Sequence, residues 1–354
     1  MLIVGGGPAG AGVALTLTDA GVQALVVERA TSLRDRPGEC LTPNFRPLLE
    51  RLRLTALLSE HGRIPEFVSR WDFGVPVERP LIADRQGEGW LLDRRHFEAQ
   101  LIAEALRRGA KWQLGWSVAA LARADDGWHV ELIGAGDRRT VAADFVIDAT
   151  GRAASLLRKL GVPRDTGDRL FGSWLVTAGR GRVAGPVLIE VGLDGWWYAS
   201  SLPDGRTSIV CFSDRPAASA AELLNSARDR GSIAATLGDG PEPVLSIHAA
   251  GSARAQQVCG PGWFAVGDAA LAFDPLSSYG LGSALGTGYY AAQALLAQWS
   301  GDADAPAVYQ ALLNERWSAY VSAVVERYDA AHPFHDEPFW RERRRRVHAL
   351  RGTY

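Results

Sequence analysis

The chain has 354 residues, 47% of them hydrophobic, and a formal net charge of -2. That is ample material for one large or two intimate domains, and the near-neutral balance gives no reason to expect nucleic acid or an anionic membrane as partner. No apolar run approaches a membrane span and no basic leader with a cleavage site precedes the first elements, which points to the cytoplasm; Cys40, Cys211 and Cys259 form no CxxC pair, so no metal centre or disulfide is expected.

Residues 2–4 read as a short buried strand that breaks at once into Gly5-Gly6-Gly7-Pro8-Ala9-Gly10. With only three residues between Met1 and the glycines, either the strand is clipped or the chain begins further upstream. A helix-like run rich in alanine and leucine covers 11–20, Gly21 stops it, and residues 24–27 read as a second buried strand ending on Glu28-Arg29. This is a βαβ unit carrying GxGxxG, with an acidic residue about twenty positions beyond the last glycine. Gly5 serves the tight turn, Gly7 lets backbone approach a pyrophosphate, and Gly10 lets helix and strand pack closely. The helix N-terminus favours the anion and Glu28 the ribose hydroxyls.

Residues 34–44 read as an irregular excursion with a turn at Pro37-Gly38-Glu39, before a helix over 45–60. The prolines and alternation of residues 64–85 suggest short strands outside the nucleotide fold. Leu92-Asp93-Arg94-Arg95 leads into an amphipathic helix over 96–108, followed by strand-like runs at 112–121 and 128–132. A buried strand then ends in Asp148-Ala149-Thr150-Gly151-Arg152, which taken alone is a strand end and a turn. Residues 170–213 alternate as an antiparallel sheet would; 217–237 read as helical and 241–248 as a strand.

Residues 262–266 form another buried-strand pattern, running into Gly267-Asp268 and then Asp274-Pro275-Leu276-Ser277-Ser278-Tyr279-Gly280-Leu281-Gly282, which opens a long small-residue helix to about residue 299. Asp268 suits a sugar hydroxyl, and the glycine turn offers backbone N–H groups at a helix N-terminus. The two distant glycine motifs make sense together if one extended cofactor spans both. The remaining 301–354 read as helices ending in an arginine-rich run, residues 341–346, which on its own is a solvated helix face.

The set GGGPAG, Glu28-Arg29, Leu92-Asp93-Arg94, DATGR and GDAALAFDPLSSYGLG resembles the FAD-dependent monooxygenase superfamily that includes para-hydroxybenzoate hydroxylase and the flavin-dependent tryptophan halogenases. The finer resemblance is to the flavoproteins that hydroxylate tryptophan during maturation of quinohemoprotein amine dehydrogenase and of lysine and glycine oxidases, through the 195–203 segment, the DPLSSYGLG loop and Glu337-Pro338-Phe339-Trp340-Arg341. It implies an α/β protein: a discontinuous Rossmann-like FAD-binding domain (1–60, 92–165 and 251–300), an interleaved antiparallel-sheet substrate domain (61–91 and 166–250) and C-terminal helices (301–354). It also implies that Gly5, Gly7, Pro8, Ala9 and Gly10 hold the pyrophosphate, Glu28 and Arg29 the adenosine ribose end, Arg94 the neighbourhood of the pyrophosphate, and the backbone near Val118 the adenine. Gly267 and Asp268 would take the ribityl chain, and the loop through Pro275, Gly280, Leu281 and Gly282 would lie against the isoalloxazine. Pro275, Leu281 and Gly282 would, by the same resemblance, be the catalytic backbone on that side.

The resemblance implies hydroxylation of an electron-rich aromatic ring by a flavin C4a-hydroperoxide formed from reduced FAD and O2, with tryptophan in a peptide or protein as the expected substrate. Trp71, Trp196 and Tyr198 are the candidate substrate contacts; His248 reads as structural. Two departures bear on halogenation. Laid on the halogenase pattern WxWxIP the chain reads Trp196, Tyr198, Ser200, Ser201, and its only lysines, Lys111 and Lys159, lie outside 64–73, where the halogenase lysine falls. No second GxGxxG follows a strand and opens a helix, so electrons are expected from transient NAD(P)H or a separate flavin reductase. A geranylgeranyl reductase-type activity, a flavin-dependent halogenase, disfavoured because the lysine is missing, and a non-catalytic FAD-binding partner protein stand as alternatives, and the oligomeric state is left open.

Overall fold

The computed structural model describes residues 1–71, 76–81, 85–134, 136–167, 169–180, 185–331 and 334–352. One sheet holds five parallel strands in the order Trp263–Ala265, Val146–Asp148, Leu2–Val4, Leu25–Glu28 and Lys111–Leu114, with Cys259–Gly260 antiparallel at its edge. The central strands are runs of Leu, Ile and Val because both faces are covered; Ile3, Val26, Val27 and Val146 expose no surface.

The helix Pro8–Asp19 follows the first strand and packs on the long helix Gly280–Trp299. Small residues let the two backbones meet. A Cβ on Gly12 would stand 2.7 Å from the Leu285 carbonyl oxygen, and one on Gly288 would overlap the Ala9 carbonyl. The late glycine-rich stretch is therefore seated directly on the first.

A second sheet has seven strands, ordered Ser246–Ala249, Phe171–Thr177, Thr207–Ser213, Gly195–Ser201, Val187–Gly192, Glu66–Arg70 and Val77–Pro80. All neighbours are antiparallel except Val187–Gly192 with Glu66–Arg70. Its two faces have separate cores. Leu175, Trp197, Ala199 and Ile209 pack with Leu223, Ala227 and Ile233 from the helical stretch that follows, whereas Trp174, Trp196, Val210 and Phe212 join the core of the nucleotide-type half. Adjacent Trp196 and Trp197 thus serve opposite sides, as the period of a strand requires.

The C-terminal helices Ala305–Asp329 and Pro338–Ala349 close the seam between the sheets. Their anchor is Asp274, which has no exposed surface. Its carboxylate accepts from the Leu276 N–H at 2.8 Å and the Tyr328 hydroxyl at 2.8 Å, and pairs closely with Arg343. Tyr328 in turn accepts from the Trp196 indole at 3.0 Å, and the Tyr320 hydroxyl accepts from the Asp274 N–H at 3.0 Å. Burial works against both charges, raising the Asp274 carboxyl and lowering the Arg343 guanidinium, while their contact favours the ionised forms. The ionised pair is the form in which each of these donors has an acceptor.

Several elements differ from the sequence reading for local reasons. The helix expected over 45–60 is two pieces, Arg46–Arg51 and a 3-10 turn Thr55–Glu60, because Arg53 adopts a left-handed φ of 56° and ends the first. The run expected as one strand from 112 divides at Gly115, φ 77°, into the parallel-sheet strand Lys111–Leu114 and the meander strand Trp116–Ala124. The 217–237 helix is likewise two short ones, Ala220–Arg228 and Gly231–Ala234. Only Ser246–Ala249 of the 241–248 stretch pairs as strand, since Pro241 and Pro243 have no N–H to give a ladder. Strands Glu66–Arg70 and Val77–Pro80 form in the 64–85 stretch, of which 72–75 and 82–84 lie outside the described residues. The arginine run is not wholly a solvated face, because Arg343 is 3% exposed and turned inward.

Removing one member of a buried ion pair leaves the other charge uncompensated. Arg343→Met should lower the unfolding free energy in urea by about 3–5 kcal/mol, with part of the loss restored by adding Asp274→Asn. A loss below about 1 kcal/mol, the usual worth of an exposed pair, would show that the contact is solvated.

Candidate functional site

The glycine loop is shaped by close backbone contacts. Gly5 has a φ of 111°, and a side chain there would run into the Ala149 carbonyl at the end of the neighbouring strand. A Cβ on Gly10 would overlap the Gly5 carbonyl. At Gly7 the situation reverses: nothing lies within 4 Å of where its Cβ would be, and Gly7 is the N-cap of the Pro8–Asp19 helix with neither a side-chain cap nor an acidic residue in the first turn. Pro8 at the first position has no N–H to satisfy, and the first-turn amides of Ala9 and Gly10 are the donors such a terminus presents to an anion.

Glu28 holds this loop in place. Its two carboxylate oxygens accept from the Gly6 N–H and the Ala30 N–H, each at 2.8 Å. Beside Gly6 lies the Trp112 ring, whose buried indole N–H has no acceptor among the described residues. An orphaned donor, an open glycine face and uncapped amides together form a cradle that fits a dinucleotide's pyrophosphate and ribose. Arg29 is exposed at the strand end, and Val118 sits in Trp116–Ala124, directly after the strand that pairs with Leu25–Glu28. Arg94 donates to the Gly38 carbonyl at 2.9 Å and pairs with Glu98 at 2.5 Å, fixing the Pro37-Gly38 turn.

The second motif meets the first at Ala9, whose Cβ would stand 2.8 Å from a Cβ on Gly267. Asp268 follows in a 3-10 turn and pairs with Arg152 at 3.3 Å. Arg152 also donates to the Phe273 carbonyl at 2.9 Å, and Arg164 donates to the carbonyls of Asp268 at 2.7 Å and Arg152 at 3.0 Å. The strand end behind Arg152 is fixed by buried Asp148, which accepts from the Thr150 hydroxyl at 2.6 Å and the Leu157 N–H at 2.9 Å. The sequence reading singled out this stretch without assigning Arg152; for Arg164 no sequence signal exists.

From Asp274 the chain makes a 3-10 turn, Pro275–Ser277, and passes through Ser278 at a φ of 55° into the long helix. A serine held in the left-handed region stores strain of about 1–3 kcal/mol, and such residues cluster at functional loops. Gly280 faces open space and no side chain caps the helix, Leu281 is buried, and Gly282 lies against the Phe45 ring. The first-turn amides at 280–282 thus form a second group of donors at a helix N-terminus, in a helix whose Ala284 lies with Ala9 against the Gly267 position.

The inner face of the seven-stranded sheet reaches the start of this loop through Trp196, which donates to Tyr328, itself a donor to Asp274. Trp71 and Trp196, expected as substrate contacts, are engaged in packing in this structure. The Trp71 indole donates to the Arg327 carbonyl at 2.8 Å and its ring meets Trp340 edge-on. Trp196 is 1% exposed, stacks on Phe212 at 4.1 Å and donates to Tyr328. Tyr198 remains half-buried on this face, its hydroxyl held protonated chiefly by burial and then by the nearby Glu39 and Cys40. Sequence reasoning missed Glu39, which read as part of a turn. It is 2% exposed, accepts from the Ser208 hydroxyl at 2.6 Å, which accepts from the Trp174 indole at 2.9 Å, and burial raises its pKa. His248 stands edge-on to Trp174, and burial lowers its pKa. Among the described residues there is no cluster of His, Cys, Asp and Glu that could hold a metal ion and no helix long and apolar enough to cross a membrane.

Comparison with known proteins agrees with this geometry. The family model described as an FAD binding domain matches residues 1–199. Among curated relatives, a protein of Marinomonas mediterranea named as an FAD-dependent oxidoreductase, LodB, is 28% identical over 97% of this chain and 96% of its own; others are named as halogenases and as reductases. Among solved structures, the flavin-dependent halogenase CmlS is 27% identical with a TM-score of 0.83, covering 99% of this chain and 70% of its own. The peptidyl tryptophan dihydroxylase QhpG, 24% identical with a TM-score of 0.77 over 97% of this chain and 77% of its own, shares the fold. The paired glycine motifs on one helix crossing, the Glu28 anchor and the matched domain lead to one conclusion: the chain belongs to the FAD-binding-domain family and is a flavin-dependent oxidoreductase.

Proposed function

We propose that this enzyme hydroxylates an electron-rich aromatic ring, with a tryptophan presented by a peptide or protein as its substrate. The observation that carries the reading is the wall beside the 275–282 loop: Trp174, Tyr198, Val210 and Phe212 share one face of the sheet, with buried Glu39 as its carboxyl group and no lysine. Lys111 opens the last strand of the parallel sheet, and Lys159 donates to the Ala119 carbonyl at 2.7 Å, so both lysines of the chain belong to the other half.

FAD, once reduced by NAD(P)H or a separate reductase, supplies activation of O2; the protein supplies no nucleophile. Its residues bind, orient and exclude water. Ala9 and Gly10 amides receive the pyrophosphate, with Gly5, Gly7 and Pro8 shaping their loop. Glu28 takes the ribose, and Gly267 and Asp268 the ribityl chain. The amides of Leu281 and Gly282, with the helix behind them and Pro275 beside them, stabilise negative charge on the ring. The apolar sheet face holds the substrate ring against that side and keeps water out.

Three results test the reading. Gly10→Val and Asp268→Leu should each purify with FAD largely lost, measured by absorbance; full occupancy in both would contradict the cofactor site. Halide should leave the product unchanged, and a chlorinated or brominated indole would favour the halogenase alternative instead. With reductant, isotopically labelled dioxygen and a tryptophan-containing partner peptide, mass spectrometry should find label on the indole, while free tryptophan reacts poorly because orienting contacts remote from the ring are absent. Label in water or peroxide alone would instead favour a flavin-dependent reductase.

A further inference from the structure

The helix Pro338–Ala349 divides its arginines by face. Arg341 and Arg345 are exposed, whereas Phe339, Glu342, Arg343 and Arg346 follow the spacing of one helical stripe and line a cleft of about 260 Å³. The opposite wall comes from two strand ends of the seven-stranded sheet, with Arg169 just before Phe171–Thr177 and Asp214-Arg215 just after Thr207–Ser213. Four arginines, Arg169, Arg215, Arg343 and Arg346, and two acids, Asp214 and Glu342, therefore line it. Glu342 is already engaged with Arg345 at 2.7 Å and Arg346 at 2.5 Å, while Arg169 and Arg215 stand exposed at the rim. The floor is Arg343, whose other end holds Asp274 next to Pro275. One side chain thus connects a cationic cleft at the surface with the loop proposed to meet the flavin ring.

We infer that this cleft is the docking surface for acidic residues of the polypeptide that presents the aromatic substrate. The inference rests on the proposed function, and it identifies the recognition chemistry: carboxylates flanking the target residue, received by the exposed Arg169 and Arg215 while the ring itself enters beside the 275–282 loop. Charges at such a rim act mainly on encounter and on discrimination between partners. Binding should accordingly weaken with salt.

The test uses the FAD-loaded full chain and two short fluorescein-labelled peptides, each with one tryptophan, flanked in one by aspartates and in the other by asparagines. By fluorescence anisotropy at low salt the aspartate peptide should bind at least about tenfold more tightly, and at about 1 M salt, where the screening length is only about 3 Å, the difference should vanish. Arg169→Glu combined with Arg215→Glu should abolish the preference with the FAD content unchanged, whereas Arg341→Glu, exposed on the same helix outside the cleft, should leave it. Equal affinity for the two peptides, or a preference surviving the double substitution, overturns the inference. So does displacement of the aspartate peptide by NADPH together with loss of NADPH binding in the double variant, which would make the cleft a nucleotide-phosphate site. Label incorporation is read separately: indole labelling that is equal in both peptides without any acidic preference leaves hydroxylation standing and removes the docking surface, and docking without labelling does the reverse.

Discussion

The buried Asp274 carboxylate is the constraint on which the two halves and the C-terminal helices depend. It sits at the start of the 275–282 loop, and its donors come from that loop at Leu276, from one C-terminal helix at Tyr328 and from the other at Arg343. Through Tyr328 the same carboxylate reaches Trp196 on the inner sheet face. A buried ion pair is a poor source of net stability compared with apolar packing, because desolvation offsets much of the attraction. Its value here is positional, since the loop, the sheet and both helices can satisfy their polar groups together only in this arrangement. The left-handed Ser278 is held within the same frame.

A second constraint is steric. Glycines at positions 12, 267 and 288 bring together segments that lie far apart in the chain, each at a point where a Cβ would meet backbone or Ala9. The two helices that cross there each have an N-terminus uncapped by a side chain. Two groups of free amide donors at a fixed separation suit one long ligand with a charged middle and an electron-accepting end. That requirement, and the sheet face alongside, tie the fold to flavin chemistry.

The nucleotide-type half was legible because its signals are local: glycines at fixed offsets, apolar runs for strands buried on both faces, and an acid at the second strand's end. Gly7 is a case in which the chemistry required by the motif and the open space in the fold agree. What remained hidden depended on distant packing. Trp71 and Trp196 read as candidate substrate contacts, yet nothing local told that Arg327, Tyr328 and Phe212 would engage them. Glu39 looked like a turn residue because Ser208, its donor, lies on a strand much later in the chain. Arg343 looked solvated because five of the six residues in its run are arginines, and only helix phase decides which one turns inward. Breaks at Arg53 and Gly115 were likewise set by backbone conformation that composition does not encode.

In the function we propose, a single extended FAD lies across both glycine motifs, with its ring between the 275–282 loop and the inner face of the seven-stranded sheet. A crystal structure of the FAD complex measures this most directly. The pyrophosphate should lie within hydrogen-bonding distance of the Ala9 and Gly10 amides, a ribose hydroxyl on Glu28, and the isoalloxazine against Pro275 through Gly282 with Tyr198 on the same side. An isoalloxazine seated away from that loop, or a pyrophosphate that does not touch the Pro8–Asp19 helix terminus, would contradict the account.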